Sequence, residues 1–186
     1  GYLEMLGIPF SSCSSFVSAV AFDKYACKCY VREMETVRCA PDLFVREGAD
    51  LEAFTKKAAE RLKFPVFVKP TNGGSSFGIT RVTEPSSLAE AVRYAFTEGK
   101  TVLVEQGIRG RELTCAAYFD GTSVKALPLI EIVSDNEWFD YDAKYNGHSR
   151  EICPAPVEDS VREMVQQASC KVYSQLGCKG VVRIDY

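Results

Sequence analysis

The stretch VKPTNGGSSFGITRV, from Val68 to Val82, places a long glycine- and serine-rich loop between two strand-like segments. An apolar run ends at Lys69, and a β-branched pattern typical of strands resumes at Ile79. Because glycine and serine favour turns, the stretch predicts a β-hairpin with a polar, flexible loop. Lys69 is then placed where the first strand enters that loop.

The glycine spacing in this loop excludes two common phosphate-binding motifs. Gly73 and Gly78 are five positions apart, but Ile79 and Thr80 stand where a P-loop has Lys and Ser or Thr. A strand follows the loop, so no helix N-terminus is available to hold a pyrophosphate as in a dinucleotide-binding fold.

A hairpin that closes over a nucleotide is compatible with the same residues. Backbone N–H groups from Gly73 to Ser76 can approach phosphate oxygens, because glycine permits close contact and unusual backbone angles. The ammonium of Lys69 can neutralise a phosphate while its stem packs along the strand. The residues alone leave open the alternative of a mobile turn with a surface lysine.

Hydrophobic periodicity along the remaining chain predicts an α+β architecture, with helices alternating with strands up to about Gln106 and consecutive strands after Arg109. Helices are predicted at 16–34, at 49–62 with Asp50 as its cap, in EPSSLAEAVRYAFTEG, and at 156–176. The segments TVRCAPDLFV, TVLVEQ and KGVVRIDY are strand-like, RELTCAAYF and TSVKALPLIEIV form a predicted hairpin, and 138–150 is a predicted polar loop.

Composition narrows the functional class. The 186 residues carry a net charge of −3 with a pI of about 5.4 and no basic block, which argues against a nucleic-acid-binding surface. No apolar run approaches the ~20 residues needed to cross a bilayer. The eight cysteines are spread through core-like segments at spacings unlike those of a zinc site. We interpret them as reduced, small apolar residues of a cytoplasmic protein.

Five segments then occur in order along the chain: FPVFVKPTNGGSSFGITRV, VLVEQGIRGRELTCAAY, WFDYDAKYNG, EICPAPV and LGCKGVVRIDY. Together they resemble the D-alanine–D-alanine ligases of the ATP-grasp superfamily. The resemblance implies a partial ATP-grasp fold of the α+β class, with antiparallel sheets and helices packed on one side. It also implies an ATP-dependent enzyme that uses Mg²⁺ (or Mn²⁺) to join two D-alanines through an acyl phosphate, for peptidoglycan synthesis.

The resemblance assigns the phosphate-binding residues. Lys24 matches a lysine that reaches the nucleotide phosphates, and Lys69 matches the lysine that holds the α- and β-phosphates. Gly74 and Ser76 contribute backbone contacts in the glycine loop, and Ser75 helps to orient the first D-alanine. Read without the resemblance, Lys24 is a solvated helix lysine and the serines are turn residues that bond their own backbone.

The adenosine contacts follow from the same resemblance. Glu105 matches the residue at the adenine amino group, and Gln106 and Ile108 line the adenine slot, partly through backbone groups. Glu112 matches the glutamate that accepts hydrogen bonds from the ribose hydroxyls, a task suited to a carboxylate because it is an acceptor only. The alternative for either glutamate is a surface strand residue.

The residues implied for chemistry lie later in the chain. Lys144 matches a lysine that contacts the transferred phosphate, and Tyr145 matches a tyrosine that links to Ser75 when the site closes. A phenylalanine is typical there in relatives that use D-lactate, so Tyr145 favours an amine nucleophile. Arg183 and Asp185 are two positions apart on a strand and therefore lie on one face. Arg183 matches an arginine that contacts the transferring phosphoryl group, and Asp185 matches a Mg²⁺ ligand. The alternative is a surface ion pair.

The resemblance also implies that the chain is a fragment. Residues 1–15 match the tail of the N-terminal domain, 16–107 the central ATP-grasp subdomain with its flap, and 108–186 an incomplete C-terminal subdomain. We expect little or no ligase activity from this chain alone, and full-length relatives are usually homodimers. Two alternatives stay open: a non-catalytic nucleotide-binding remnant, and an ATP-grasp ligase with another acceptor such as D-serine.

Overall fold

The computed structural model describes residues 1–74, 76–134 and 149–186. Its α-helices in these ranges are α1 (Tyr2–Met5), α2 (Ser15–Phe22), α3 (Lys24–Val31), α4 (Leu51–Arg61), α5 (Leu88–Glu98) and α6 (Asp159–Leu176), with a 3₁₀ turn at Pro85–Ser87. Its strands are β1 (Asp42–Arg46), β2 (Val66–Pro70), β3 (Thr80–Val82), β4 (Thr101–Gln106), β5 (Glu112–Phe119), β6 (Val124–Ala126), β7 (Ile130–Ser134), β8 (Ser149–Ile152) and β9 (Val181–Asp185). None of the helices in the described ranges combines the length and apolarity needed to cross a membrane.

The chain divides into two compact units, each with its own sheet. The glycine-loop unit comprises Phe22–Cys29 and Arg38–Arg109. The β5 unit comprises Gly1–Ala21, Tyr30–Val37 and Gly110–Tyr186.

The sheet of the glycine-loop unit is antiparallel, with the strand order β1-β4-β2-β3. Side chains alternate between its two faces because successive residues of a strand point to opposite sides. One face is a row of buried valines that packs against apolar positions of α4 and α5, including Ala58 and Leu88. Val66, Val68, Val102 and Val104 are fully buried there, and each such burial contributes roughly 1.5–3 kcal/mol.

The predicted hairpin around the glycine loop is present. β2 and β3 pair antiparallel, with Val66 opposite Val82 and Val68 opposite Thr80. Lys69 lies on β2, one residue before the strand ends at Pro70. Asp50 caps α4 as predicted, since its side chain accepts hydrogen bonds from the first-turn N–H groups, and the helix begins at Leu51, two residues after the predicted start.

The predicted single helix over 16–34 is wrong, because the chain forms α2 and α3 with a break at Asp23. The Asp23 carboxylate accepts a hydrogen bond from Ala26 N at 2.9 Å, which caps the first turn of α3. Its other oxygen accepts from Thr71 Oγ1 at 3.2 Å. The helix therefore restarts at a point fixed by a contact with the start of the glycine loop.

The sheet of the β5 unit is built around β5, which pairs antiparallel with β6, β7 and β9. The predicted continuous second strand of the hairpin, 122–133, is instead divided into β6 and β7. Pro128 lies in the gap and has no N–H to donate to a ladder. The predicted loop 138–150 reaches into β8, where Arg150 pairs with Val133; residues 138–148 lie outside the described ranges.

The long helix of the β5 unit covers one face of that sheet. α6 buries Val165, Ala168 and Val172, and Val165 packs with Leu113 and Cys115 of β5. It begins at Asp159, three residues after the predicted start, and Gly177 ends it in the left-handed conformation with φ +67°.

Candidate functional site

A charged face lies opposite the valine face in the glycine-loop unit. Glu105 on β4 is directly opposite Asp42 on β1 and Phe67 on β2. Lys69 is two residues beyond Phe67 and therefore points to the same side. Its ammonium forms an ion pair with Glu105 Oε2.

Helix α3 contributes a second ammonium to this face. Lys28 Nζ donates to Glu105 Oε1, to Asp42 Oδ2 at 2.7 Å and to the Ala40 carbonyl at 2.8 Å. The helix is held over the sheet by Tyr25, whose ring stacks on Phe44 with centroids 4.4 Å apart and an interplanar angle of 16°. Packing on β1 therefore carries Lys28 to the two carboxylates.

The four charged side chains form a connected, largely buried row, here called the charged row: Asp42, Lys28, Glu105 and Lys69. Their exposed fractions are 7%, 13%, 17% and 20% in that order. Two carboxylates and two ammonium groups leave no net charge. Such pairing is required, because an uncompensated charge at this degree of burial is strongly destabilising.

The electrostatics of the charged row keep both central groups ionised. Burial alone would raise the pKa of the Glu105 carboxyl, but the charges and hydrogen bonds of Lys69 and Lys28 outweigh it and lower that pKa. Burial alone would lower the pKa of Lys28, but its bonds to Asp42 and Glu105 raise the pKa above the ordinary lysine value.

Lys24 lies one helical turn before Lys28 and serves the start of the glycine loop. Its Nζ donates to the carbonyls of Pro70 and Thr71 at 3.3 Å and of Gly73 at 3.0 Å. Thr71 is fully buried, and its hydroxyl lies 2.6 Å from that of Thr101 on β4. The loop therefore leaves the sheet from a fixed point with an ammonium beside it.

The glycine loop itself follows an unusual backbone path. Gly73 has φ +125° and Gly78 has φ +69°, while Ser76 adopts φ +62°, a region rarely occupied by residues with a side chain. A Cβ on Gly78 would lie 2.8 Å from Glu98 Cγ, so this position also lacks room. Gly74 has open space around it, and Phe77 is 60% exposed.

The end of β4 and the residue after it are tied to the segments that precede β1 and β2. Gln106 accepts a hydrogen bond from Lys63 N through its side chain at 3.0 Å and donates its own N–H to the Pro41 carbonyl at 2.9 Å. Gly107 passes so close to the residue before β2 that an added Cβ would lie 2.9 Å from the Pro65 carbonyl. Ile108 follows with 70% of its surface exposed.

Three further predicted residues share the face of the β5 sheet that lies opposite α6. Asp185 is opposite Thr114 and Arg183 is opposite Ala116, so both point to the side of Glu112, two residues before Thr114. Arg183 donates to Asp185 through Nε at 2.9 Å and through Nη2 at 3.3 Å. Both side chains are more than 60% exposed.

Residues 40–186 match the family model described as "D-ala D-ala ligase C-terminus". The chain belongs to the D-alanine–D-alanine ligase family. The resemblance given by the sequence segments is thereby confirmed.

Relatives in this ligase family align over the whole chain. The D-alanine–D-alanine ligase of Parabacteroides distasonis is 42% identical over 187 residues, covering 100% of this chain and 56% of that protein. That of Phocaeicola vulgatus is 40% identical over 186 residues, with the same coverage of 100% and 56%. The chain spans about half the length of the curated relatives it matches.

Solved structures in the family share the fold. The VanG D-Ala:D-Ser ligase from Enterococcus faecalis superimposes with a TM-score of 0.86 at 32% identity, covering 98% of this chain and 52% of that one. A D-alanine–D-alanine ligase from Coxiella burnetii gives 0.84 at 25% identity, covering 100% and 48%. The predicted ATP-grasp fold, of the α+β class with antiparallel sheets, is confirmed.

The described residues do not make a complete metal site for this ligase fold. Across 1–74, 76–134 and 149–186, no group of three His, Cys, Asp or Glu side chains could hold a metal ion. Both oxygens of Asp185, the predicted Mg²⁺ ligand, accept hydrogen bonds from Arg183. Because Mg²⁺ requires a cluster of oxygen ligands, these residues alone do not fit it.

The structure thus places the family's predicted residues in two groups. Lys24 and Lys69 lie beside the start of the glycine loop, and Lys69 forms an ion pair with Glu105, whereas Glu112, Arg183 and Asp185 share a face of the β5 unit. Ser75, Lys144 and Tyr145 lie outside the described residues. Lys28 and Asp42 were not predicted as site residues. The sequence did contain one signal for Lys28, which falls four positions after Lys24 and therefore on the same side of a helix.

Proposed function

We propose that the chain provides the nucleotide-binding part of a ligase that uses ATP to join two D-alanines. The observation that supports this most directly is that Lys69, at the glycine-loop end of β2, forms an ion pair with Glu105 on β4, while Lys24 donates to the first carbonyls of the loop. Two ammonium groups and exposed backbone suit a polyphosphate, and a carboxylate suits a donor group on a base.

In this proposal the phosphates lie under the glycine loop. Lys69 holds the α- and β-phosphates, and Lys24 reaches the phosphates from the start of the loop. Gly74 and Ser76 offer backbone N–H groups, and the open space around Gly74 allows close approach. Ser75 orients the first D-alanine.

The adenosine part of the nucleotide is assigned to the end of β4 and the residues that follow it. Glu105 accepts a hydrogen bond from the adenine amino group, and Gln106 and Ile108 line the slot for the ring. The exposure of Ile108, at 70%, leaves an apolar surface for a base to cover. Glu112 accepts hydrogen bonds from the ribose hydroxyls.

The chemical step requires positive charge beside the reacting groups. The carboxylate of one D-alanine attacks the γ-phosphate to give an acyl phosphate and ADP, and the amine of the second D-alanine then displaces phosphate. Arg183 and Lys144 neutralise charge on the transferring phosphoryl group, and Tyr145 links to Ser75 over the site. Closure of the glycine loop excludes water from the acyl phosphate.

The dipeptide product serves peptidoglycan synthesis, for which the reaction belongs in the cytoplasm. We further propose that this 186-residue chain alone turns over little or no substrate. Phosphate release that depends on D-alanine, at a rate comparable to that of a full-length ligase, would refute this part of the proposal.

D-Serine is a second candidate acceptor. The similarity to the VanG D-Ala:D-Ser ligase, at 32% identity and a TM-score of 0.86, is the observation that favours it. A full-length ligase containing this chain, supplied with D-alanine and either D-alanine or D-serine, would distinguish the two by the mass of the dipeptide formed.

Nucleotide binding is tested by thermal denaturation of this chain during a titration with ATP and Mg²⁺. A ligand that binds only the folded state raises the Tm as its concentration increases. We expect wild type to respond and Lys69→Ala to respond less. Lys57→Ala, an exposed lysine on α4, is the matched control and should respond like wild type. An unchanged wild-type Tm at saturating ATP would refute nucleotide binding.

A further inference from the structure

The charged row carries an inference that rests on the proposed function and goes beyond it. Lys28 and Lys69 bind different oxygens of one carboxylate: Lys28 donates to Glu105 Oε1 and Lys69 donates to Glu105 Oε2. Lys69 was assigned to the phosphates, and Glu105 to the adenine amino group. The two groups assigned to ATP are therefore bound to each other.

The two lysines are not held equally. Lys28 is 13% exposed and has three acceptors: Glu105, Asp42 and the Ala40 carbonyl. Lys69 is 20% exposed, and within the described ranges its ammonium is bonded to the Glu105 carboxylate. Lys69 lies at the open end of the charged row, next to the glycine loop, and is the one that a polyphosphate can reach.

We propose that nucleotide binding makes Lys69 exchange Glu105 for phosphate, and that Lys28 is the positioning residue that holds the Glu105 carboxylate during this exchange. Departure of Lys69 leaves Oε2, the oxygen that Lys69 had occupied, with lone pairs free for a new donor. The adenine amino group is such a donor. Phosphate binding thereby prepares the base site, because the same movement of Lys69 supplies a cation to the phosphates and leaves an acceptor for the adenine amino group.

Lys28 is needed because the exchange removes a positive charge from a half-buried region. Before the exchange the charged row is neutral; afterwards Asp42, Glu105 and Lys28 carry one net negative charge. Without Lys28 the charged row would keep neither of its two ammonium groups once Lys69 left, and burial would then favour protonation of Glu105. A protonated or rotated Glu105 would no longer present an acceptor in a fixed place.

The exchange predicts that one substitution, Lys69→Met, changes the affinities for ATP and for adenosine in opposite directions. ATP binding should weaken by roughly tenfold or more, since a charged hydrogen bond to phosphate is lost. Adenosine has no phosphates to draw Lys69 away, so it should bind wild type poorly and bind Lys69→Met more tightly. Lys28→Met should weaken both ligands and reduce the preference for ATP over GTP, a readout that loss of fold stability alone would not change.

Affinities would be measured by NMR titration of this chain with ATP, GTP and adenosine, with Lys57→Ala as the unchanged control. The proposed function is refuted if ATP causes no chemical-shift changes in wild type that are reduced in Lys69→Met. The exchange alone fails if Lys69→Met weakens ATP but leaves adenosine binding equal, weaker or undetectable. A positioning role for Lys28 fails if Lys28→Met retains the wild-type preference for ATP over GTP.

A measurement on wild type alone covers the case in which a variant does not fold. The Glu105 carboxyl pKa would be followed by carbon NMR with and without inorganic triphosphate and Mg²⁺. Loss of Lys69 from Oε2 should raise that pKa, because one of the two cations that lower it has left. Triphosphate that binds and leaves the Glu105 pKa unchanged would overturn the exchange while leaving phosphate binding in place.

Discussion

Lys24 and Lys28 are one turn apart on the same helix, yet their ammonium groups serve different parts of the sheet. Lys24 bonds backbone carbonyls at the start of the glycine loop, and Lys28 bonds carboxylates on β1 and β4. The short helix α3 thereby contacts both the start of the glycine loop and the carboxylates of the charged row. The break at Asp23, which starts α3 where it does, sets both contacts.

Lys24→Ala should loosen the glycine loop without unfolding the sheet. The variant loses the bonds from Nζ to the Pro70, Thr71 and Gly73 carbonyls. We expect faster amide hydrogen exchange in the loop, with the amides of β4 protected as in wild type. Lys57→Ala is the control; equal loop protection in all three proteins would show that Lys24 does not hold the loop.

Gly78→Ala should destabilise the glycine-loop unit by about 1–3 kcal/mol, because φ is +69° and the new Cβ would lie 2.8 Å from Glu98 Cγ. Gly74→Ala, in the same loop but with no atom within 4 Å of an added Cβ, is the matched control. Chemical denaturation gives both free energies. A Gly78→Ala variant as stable as Gly74→Ala would mean that the loop relaxes without cost.

Asp50→Ala should cost about 1 kcal/mol of folding free energy. The Asp50 carboxylate accepts from Glu52 N at 3.0 Å and Ala53 N at 3.1 Å, and alanine leaves both N–H groups of α4 without this acceptor. Asp50→Asn retains a capping oxygen and should lose much less. Equal losses in the two variants, measured by urea denaturation, would contradict capping as the source.

Local patterns in the sequence predicted the elements whose causes are local. The Asp50 cap, the strand TVLVEQ and the glycine loop between two strands each depend on residues that are neighbours in the chain, and each is present. The division of 122–133 into β6 and β7 was also readable, since Pro128 cannot donate to a ladder. The break at Asp23 could not be predicted from local sequence, because it involves a hydrogen bond from Thr71, 48 positions away in the chain.

The site was predicted only as far as the family resemblance reached. Lys69 and Glu105 were assigned from matched segments, but their mutual ion pair was not foreseen. Lys28 was missed because a lysine on an amphipathic helix is ordinarily solvated. Its acceptor Glu105 is 77 positions away in sequence, so only the packing of α3 on the sheet brings the two together. The roles given to Glu112, Arg183 and Asp185 stay predictions.

Arg183→Ala should change the free energy of unfolding by less than about 0.5 kcal/mol. Its ion pair with Asp185 joins two side chains that are 62% and 63% exposed, where solvent screens the attraction. If Arg183 serves the transferring phosphoryl group, a full-length ligase carrying the substitution should lose turnover while keeping its Tm. A large drop in Tm would instead assign Arg183 a structural role.

Acid should remove the contribution of Glu105 to stability. Its pKa is lowered in the folded chain, so this contribution is complete above the ordinary value of about 4.5 and is lost as pH falls through the lower, folded value. Glu105→Gln lacks a titrating carboxyl. The difference in unfolding free energy between wild type and Glu105→Gln should therefore be constant from pH 7 to about 5 and should shrink below about 4.5.

The dependence of the unfolding free energy on pH at alkaline pH tests Lys28. Its pKa is raised in the folded chain, so the stability it contributes is complete below the ordinary lysine value of 10.5 and is lost as pH rises through the folded value. Lys28→Met should therefore differ from wild type by a constant amount near neutral pH and converge with it only at strongly alkaline pH. Denaturation of wild type, Lys28→Met and Lys57→Ala across this range measures the difference. Convergence of wild type and Lys28→Met already near neutral pH would mean that the ammonium of Lys28 does not stabilise the charged row.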